Sequence, residues 1–514
     1  MRVFGASVLV VLVSFFALSV ISIVPASMIP SVALADDGGD GDGGDGDGDG
    51  GDGGDDGGDD GGGGNGGGGD DGGGADHDAG WRGSAGSGQG FSPGDVIREL
   101  RRLFLGQPAE PQRTRSQPAP QPTPQPAPQR APQPVRAPDE IVARGLSEEQ
   151  TAALVTQGYV VLERADLASL STTVRRLQVP RGTSLEAARD AIRALPNAEA
   201  VDYNHYYRAG QESAAAAQAT DNVPGCDGLH CPARDLINWP EGLGATACGA
   251  PVTIGMVDTG LNTDHEVLAD AEIALTRIAP EDYSASAAIH GTAVAAILVG
   301  HPETRVPGLL PGLPLVAVDA FHRKSGDERA DAFTLVRALD HLAGRGVQVI
   351  NLSLAGPANT VLEGTLVQLT EQHKIPVVAA VGNSGPRAEP AYPAAYDSVI
   401  AVTAVDRSGT IYRRAVRGVH VELSAPGVEV WTAASIKGAR WKTGTSFAAP
   451  YVTAAVVLWL QHDPMLTPEA IRTRLTASAK DIGPDGIDEI YGHGVLDLNG
   501  VCPGSPTFLP ASAE

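Results

Sequence analysis

The sequence predicts an α/β fold whose central sheet is mainly parallel and covered by helices, preceded by a small α+β domain. Two features predict the sheet: its strand-like segments are continuous apolar runs, as in strands buried on both faces, and they alternate with helical segments. The apolar runs lie at 252–257, 315–318, 347–354, 375–381 and 399–402. Between them, 334–343 places its apolar residues on one side of a predicted helix that stops at Gly344.

The first 35 residues predict export. A single arginine precedes a long apolar run at 8–24, and Ala-Leu-Ala at 33–35 fits a signal-peptidase site, so 1–35 is predicted to be a signal peptide. An uncleaved membrane anchor is the alternative, because the apolar stretch is long. We therefore expect a secreted protein or one at the periplasm or cell envelope.

Residues 36–138 predict a disordered region. The segment 36–78 is almost entirely Gly and Asp, and its 16 acidic residues, with no Lys or Arg, supply 16 of the 25 net negative charges. Without large apolar side chains it has nothing to bury, and it also lacks the apolar residue that each calcium-binding nonapeptide repeat needs. A Pro- and Gln-rich linker follows at 107–138. Because the acidity comes from this spacer, it says little about the substrate, and we predict no nucleic-acid partner.

Residues 139–208 predict a small domain in the order strand, helix, strand, strand, helix, strand. The segments 147–150 and 183–186 both match the capping box that begins a helix. Strand-like runs lie at 159–162, 174–179 and 198–207. This pattern fits two helices packed on an antiparallel sheet. The main domain is predicted at 222–502.

Three short segments of the main domain combine into one candidate catalytic site. Asp258 ends an apolar strand, His290 follows 32 residues later, and Ser446 comes just before a helical run. A serine nucleophile needs an imidazole to take its proton and a carboxylate to orient that imidazole. Asp258 is at the carboxyl end of its strand, where sites in open α/β sheets collect. Asn383, after another apolar run, offers an amide donor for an oxyanion.

The order Asp, His, Ser and the blocks around these residues resemble the subtilases, the subtilisin-like serine peptidases, from about 239 to 498. The matching blocks are Asp-Thr-Gly at 258–260, His-Gly-Thr at 290–292, Val-Ile-Asn-Leu-Ser-Leu at 349–354, Gly-Asn at 382–383, Ser-Ala-Pro-Gly at 424–427 and Gly-Thr-Ser-Phe-Ala-Ala-Pro at 444–450. The resemblance implies a subtilisin-like three-layer fold and a serine endopeptidase that forms its acyl-enzyme on Ser446. It also implies that 139–208 is a ferredoxin-like propeptide domain that inhibits the enzyme.

The resemblance further implies a substrate-binding edge formed by Ser353, Leu354, Ala355 and Gly382. Ala355 stands where many relatives have glycine, and Val381 and Ala391 replace smaller residues near the specificity pocket, so the cleavage preference stays open. The expected partners are protein or peptide substrates and the chain's own propeptide, with no cofactor, for a monomeric enzyme. His265, seven residues after Asp258, is interpreted as structural.

No metal site is predicted, although many subtilases have a strong calcium site. In the family a carboxylate lies nine residues after the catalytic Asp, and Val267 holds that position here. The loop that would complete the site contains Arg305 where oxygen ligands should converge, and a hard cation needs six or more oxygens. Glu266 is expected to be solvated surface.

The four cysteines are Cys226, Cys231, Cys248 and Cys502. Export to an oxidising compartment favours disulfides, for which three pairings exist. We favour Cys226 with Cys231 and Cys248 with Cys502, because the second pair ties the approach to the first strand to the C-terminus. A zinc site is the alternative, but the spacing matches no common zinc pattern.

Two functions remain. The first is a secreted endopeptidase made as a zymogen that cuts itself between 208 and 222. The second is a catalytically silent binding or scaffold protein on the same fold. The presence of all four residues Asp258, His290, Asn383 and Ser446 favours the enzyme.

Overall fold

A computed structural model describes residues 133–210, 228–240 and 248–502. The predictions for the signal peptide, for the low-complexity region up to residue 132 and for Cys226 lie outside these residues. Within the described ranges, no helix combines the length and apolar composition needed to cross a membrane.

The central sheet has seven strands, and every neighbouring pair is parallel. In spatial order they are β15 (Leu423–Pro426), β14 (Ile400–Val405), β13 (Val377–Ala380), β11 (Val349–Leu352), β5 (Ile254–Asp258), β8 (Leu315–Asp319) and β6 (Ile273–Arg277). All residues of the five strands from β14 to β8 are buried. The predicted α/β fold with a mainly parallel central sheet is therefore confirmed, and each continuous apolar run overlaps one of these buried strands.

Helices cover the sheet. They are α3 (Cys231–Leu236), α4 (Ile289–Val299), α5 (Ala332–Gly344), α6 (Thr360–Glu371), α7 (Ala449–His462) and α8 (Pro468–Ser478). Helix α5 packs on β5 and β8 and against α6, whereas α7 packs on β11 and β13 and against α4. Asp331 caps the N-terminus of α5, because its carboxylate accepts a 2.9 Å hydrogen bond from the Thr334 amide. The helix ends at Gly344, as predicted from the sequence.

The small domain has the predicted order of elements. They are β1 (Arg136–Arg144), α1 (Glu148–Thr156), β2 (Val160–Leu167), β3 (Thr172–Gln178), α2 (Leu185–Arg193) and β4 (Ala200–Ala209). The antiparallel sheet has the order β2-β3-β1-β4, and both helices contribute to a separate apolar core that includes Leu154, Leu177 and Ile192. The capping box at 147–150 is present.

Two predicted boundaries of the small domain are wrong by a few residues. The second helix is capped by the Ser184 hydroxyl, which accepts from the Ala187 amide, and not by Thr183. Thr183 has Glu186 three residues later, as the capping box requires, whereas Ser184 has Ala187 there, so the pattern alone favours the neighbouring hydroxyl. β1 begins at Arg136, inside the predicted linker. The strand tolerates Pro138 because the pairing of β1 with β4 is irregular there, so no backbone N–H is needed at that position.

The last strand of the small domain continues into the edge of the main domain. Here lie the short strands β7 (Ser284–Ala285), β9 (His322–Lys324), β10 (Asp327–Asp331) and β12 (Leu354–Ala355), with β16 (Val430–Ala433) and β17 (Ala439–Lys442) forming a separate hairpin. β4 pairs antiparallel with β10 on one side and with β12 on the other. The sheet of the small domain is therefore continuous with the strands that border the candidate site.

A disulfide joins Cys248 and Cys502, as favoured from the sequence. Cys231 is also disulfide-bonded, and its predicted partner lies outside the described residues. Near the first pair, the Leu498 amide donates 2.9 Å to the carbonyl of Ile237. The C-terminal segment is thus fastened to the region that leads into β5.

Candidate active site

The Asp258 and His290 side chains form the centre of the site. The Asp258 Oδ1 and His290 Nδ1 atoms are 2.8 Å apart, and both residues are almost completely buried. Asp258 ends β5, and His290 lies in the first turn of α4. The other ring nitrogen of His290, Nε2, has no hydrogen-bond partner among the described residues. The imidazole is therefore held from one side and has its second nitrogen free to exchange a proton.

The turn after Asp258 is locked to the start of α4. The Thr259 hydroxyl accepts a 2.9 Å hydrogen bond from the Gly291 amide, and the Asn262 amide donates 2.8 Å to the Thr292 hydroxyl. A Cβ at Gly291 would lie only 2.5 Å from the Thr259 carbonyl oxygen. Glycine after His290 therefore lets the two segments approach closely enough for the Asp258–His290 contact.

Ser446 lies in a short 3₁₀ turn, Thr445–Phe447, directly before α7. Its hydroxyl donates 3.2 Å to the Ser353 carbonyl, and the Ser353 hydroxyl donates 2.8 Å to the Ser446 carbonyl. Asn351 donates to the Ser353 hydroxyl, and Thr453 on α7 donates to Asn351. The fully buried Ser353 side chain thus holds the backbone of Ser446 and does not face the cleft. Of this residue, only the backbone carbonyl can belong to the predicted substrate-binding edge.

Asn383 lies beside Ser446 with its amide orientation fixed. Its Oδ1 accepts two 3.0 Å hydrogen bonds from Thr445, one from the backbone amide and one from the hydroxyl. The Thr445 hydroxyl also accepts from the Gly382 amide at 3.1 Å. Because Oδ1 is occupied, Nδ2 is directed to the cleft, where a donor can meet a negatively charged oxygen. Sequence reasoning missed Thr445, although it belongs to the recognised Gly-Thr-Ser block.

Three of the four predicted edge residues border the cleft by their backbone. Leu354 and Ala355 form β12, and Gly382 has a φ of +95°, which favours glycine. A Cβ at Gly382 would lie 3.3 Å from the Ala391 methyl and 3.6 Å from that of Ala355. A side chain at Gly382 would therefore press against the methyl groups of both alanines.

The end of β4 occupies this cleft. Ala209 and Arg208 pair with Leu354 and Ala355, so the chain reaches Gly210 at the candidate nucleophile. A Cβ built on Gly210 would lie 2.5 Å from Ser446 Oγ and 2.6 Å from Asn383 Nδ2. The small domain thus delivers an extended segment to the reactive groups, in the manner of a strand added to a sheet edge.

A second buried carboxyl group lies beside the first. Asp319 ends β8, and its backbone is in register with Asp258. Burial raises the pKa of Asp319 to about 6, against the hydrogen bond from the Phe321 amide and the Arg277 charge, and the Asp258 charge adds to the rise. The Ser286 hydroxyl accepts a 2.7 Å hydrogen bond from the Gly260 amide and is also hydrogen-bonded to the Asp319 carboxyl group. The only sequence signal for this residue was its position directly after the apolar run 315–318.

His265 and Glu266 both have structural contacts. His265 is fully buried, and its Nδ1 accepts from the Val267 amide, as expected of a structural residue. Glu266 is not simply solvated surface: its carboxylate lies 3.4 Å from the Arg305 guanidinium and accepts from the Gly438 amide. Among the described residues, no group of three or more His, Cys, Asp or Glu side chains is arranged to hold a metal ion.

Comparison with known proteins gives a consistent result. Residues 249–494 match the family described as the subtilase family. Subtilisin DY of Bacillus licheniformis is 33% identical over 257 residues, which cover 49% of this chain and 90% of that protein. The minor extracellular protease Epr of Bacillus subtilis is 27% identical over 263 residues, 50% of this chain and 39% of Epr.

A solved structure extends the likeness beyond the matched sequence. Fervidolysin from Fervidobacterium pennivorans, described as a keratinolytic enzyme related to subtilisin, superposes with a TM-score of 0.62 over 73% of this chain and 62% of its own. The identity is 21%, so this likeness shows the fold alone.

Proposed function

Because the chain belongs to the subtilase family and is a serine-type endopeptidase, we propose that it is a secreted zymogen that removes its own N-terminal domain. The observation that carries the proposal is the position of Gly210, at the end of β4, against Ser446 Oγ and Asn383 Nδ2. The signal peptide predicted at 1–35 supports export. The strand order β2-β3-β1-β4 with two helices supports a ferredoxin-like propeptide domain at 139–208.

In the proposed reaction, Ser446 attacks the carbonyl carbon of the scissile peptide bond while His290 Nε2 takes the hydroxyl proton. Asp258, bonded to Nδ1, orients the ring and stabilises the imidazolium. The tetrahedral oxyanion receives hydrogen bonds from Asn383 Nδ2 and the Ser446 amide. His290 then protonates the leaving amine, and water hydrolyses the acyl-enzyme by the same steps in reverse.

The contacts of the small domain support an inhibitory role before cleavage. The Asp202 carboxylate accepts 2.9 Å from the Thr360 amide at the first turn of α6, and Asp340 on α5 accepts from the Ser169 and Leu170 amides. Favourable charge at a helix N-terminus stabilises such docking. With β4 in the cleft, no substrate strand can pair with β12, so the precursor is inhibited until the segment after Gly210 is cut and the domain leaves.

The proposal is tested with the full-length chain expressed in a host that lacks other proteases. We expect the wild type to be cut after Gly210, within the predicted window, and to be labelled at Ser446 by a fluorophosphonate probe. Ser446→Ala should accumulate as an unlabelled precursor that keeps the small domain. Ser408→Ala, an exposed serine, is the matched control and should mature normally.

Normal maturation of Ser446→Ala would contradict self-processing. A wild-type protein that folds but reacts with no probe would instead favour the alternative, a catalytically silent scaffold on this fold.

A further inference from the structure

The side chain of Arg208 is held by a carboxylate of the main domain. The Arg208 Nε atom lies 2.8 Å from Asp327 Oδ1, and Arg208 Nη2 lies 2.8 Å from Asp327 Oδ2. Their side chains are 21% and 10% exposed, so this is a largely desolvated bidentate pair. Such pairs are stronger and more specific in geometry than exposed ion pairs.

Asp327 is positioned by the main domain itself. β9 and β10 form a hairpin whose turn residues, Ser325 and Gly326, both have positive φ, as a type I′ turn requires. Asp327 is the first residue after this turn, and Arg329 Nη1 contacts its Oδ2 at 2.9 Å. The carboxylate is thus oriented without Arg208, and Oδ1 points to the strand in the cleft.

The charge state of Asp327 fits the same role. Burial alone would raise its pKa, but the hydrogen bonds and charges of Arg208 and Arg329 outweigh burial, and the pKa lies below its ordinary value. The carboxylate is therefore ionised at neutral pH. A guanidinium entering the cleft therefore meets an ionised carboxylate, whose Oδ1 accepts from Arg208 and whose Oδ2 is shared between Arg208 and Arg329.

The register of β4 shows which substrate residue meets Asp327. Tyr207 pairs with Ala330 and its hydroxyl donates 2.9 Å to the Pro357 carbonyl, while Arg208 pairs with Ala355. Neighbouring side chains of a strand point in opposite directions, so Tyr207 enters the protein and Arg208 runs along β10. Counting back from Gly210 at the nucleophile, Arg208 is the third residue before the bond to be cut.

We propose that this cleft selects substrates with arginine at the third position before the cleaved bond, and that Asp327 is the specificity-determining residue. The proposal rests on the proposed function, since β4 is taken as a bound substrate segment. Arginine is favoured over lysine because its planar guanidinium fits both carboxylate oxygens, whereas an ammonium is a point charge.

The test compares matched peptides, Tyr-Xaa-Ala-Gly followed by a fluorogenic leaving group, where Xaa is arginine or its neutral isostere citrulline. The enzyme carries a recognition site for an unrelated protease directly after Gly210, and the cut small domain is removed before the assay, so that the cleft is free whether or not the chain cuts itself. We expect kcat/KM to favour arginine by about tenfold or more, the size of a hydrogen-bonded charged contact. In Asp327→Asn the ratio should fall toward one.

Glu371→Gln, which removes an exposed carboxylate at the end of α6, is the control and should keep the ratio. Binding of labelled Tyr-Xaa-Ala-Gly carboxylates, followed by fluorescence anisotropy, gives the same ratio without turnover. A wild-type ratio near one, or an unchanged ratio in Asp327→Asn, would overturn the proposal. If no peptide is hydrolysed and Ser446 takes no fluorophosphonate, the proposed function fails, and the binding ratio alone decides the role of Asp327.

Discussion

Thr445 holds the side chain of Asn383 by two hydrogen bonds to the same oxygen, one from its amide and one from its hydroxyl, each 3.0 Å long. This relationship decides which end of the Asn383 amide faces the cleft. An amide that presented its oxygen would repel an oxyanion, whereas Nδ2 donates to it. The donor is also fixed before substrate arrives, so no reorganisation is needed during the reaction.

We therefore expect Asn383→Ala to lower kcat with little change in KM, because its donor acts on charge that exists only in the transition state. The loss measured for such a donor in subtilisin is about a hundredfold to a thousandfold, and it gives the expected size from the family itself. Thr445→Val should lower kcat by about tenfold through misorientation, and Thr445→Ser should restore it. A raised KM with normal kcat would show that Asn383 is a ground-state contact.

A buried glutamate predicts how stability depends on pH. Burial raises the pKa of Glu422 to about 7, with Arg472 opposing and Glu469 and Asp397 adding to the rise. Between the ordinary pKa of 4.5 and the folded-state pKa of about 7, the folded protein binds more protons than the unfolded chain, so the free energy of unfolding falls as pH rises through this window. The loss is at most about 3 kcal/mol.

In Glu422→Gln this loss should disappear. Measured by calorimetry in the Ser446→Ala background to avoid self-digestion, the Tm of Glu422→Gln should rise relative to its parent between pH 5 and pH 8. The exposed Glu371→Gln serves as control and should track the parent. A Tm difference that stays constant with pH would contradict the assignment to Glu422.

The parallel sheet could be predicted because strands buried on both faces need continuous apolar runs, and β5, β8 and β11 have them. The residues of the candidate site could be found because each lies in a short block of fixed composition. Asp319 and Asp327 could not be found in this way, since their partners, Ser286 and Arg208, are distant in the chain. Only the pairing of strands brings each of these residues to its partner. In the sequence, a buried and partnered aspartate cannot be distinguished from an exposed one.

We also expect chelators to have little effect on the stability of protein that lacks the Gly- and Asp-rich segment 36–78. Val267 offers only a carbonyl, which accepts from the His301 amide, and the Arg305 guanidinium lies against Glu266. A hard cation would have to displace this ion pair to gather six or more oxygens. Thermal unfolding with and without a strong chelator measures this, and a fall in Tm of many degrees would show that a cation site exists.

The Cys248–Cys502 disulfide should contribute strongly to stability. It closes a loop of 254 residues. In the chain-entropy account, closing a loop of that length lowers the entropy of the unfolded state and so raises the free energy of unfolding by about 5 kcal/mol. Both cysteines are 4% exposed, so reductant under native conditions should leave the bond intact. We expect the double variant Cys248→Ser, Cys502→Ser in the Ser446→Ala background to unfold at lower temperature and lower urea concentration.

The position of the bond predicts where the variant is weakened first. The C-terminal segment packs on the central sheet through Leu496, whose amide donates 2.9 Å to the Ser424 carbonyl on β15. Without the disulfide this segment is held by such contacts alone, so its amide hydrogens should exchange faster than those of β5 or β11. Uniform exchange across the molecule, with an unfolding free energy within about 1 kcal/mol of the parent, would show that the disulfide contributes far less than the loop-closure account requires.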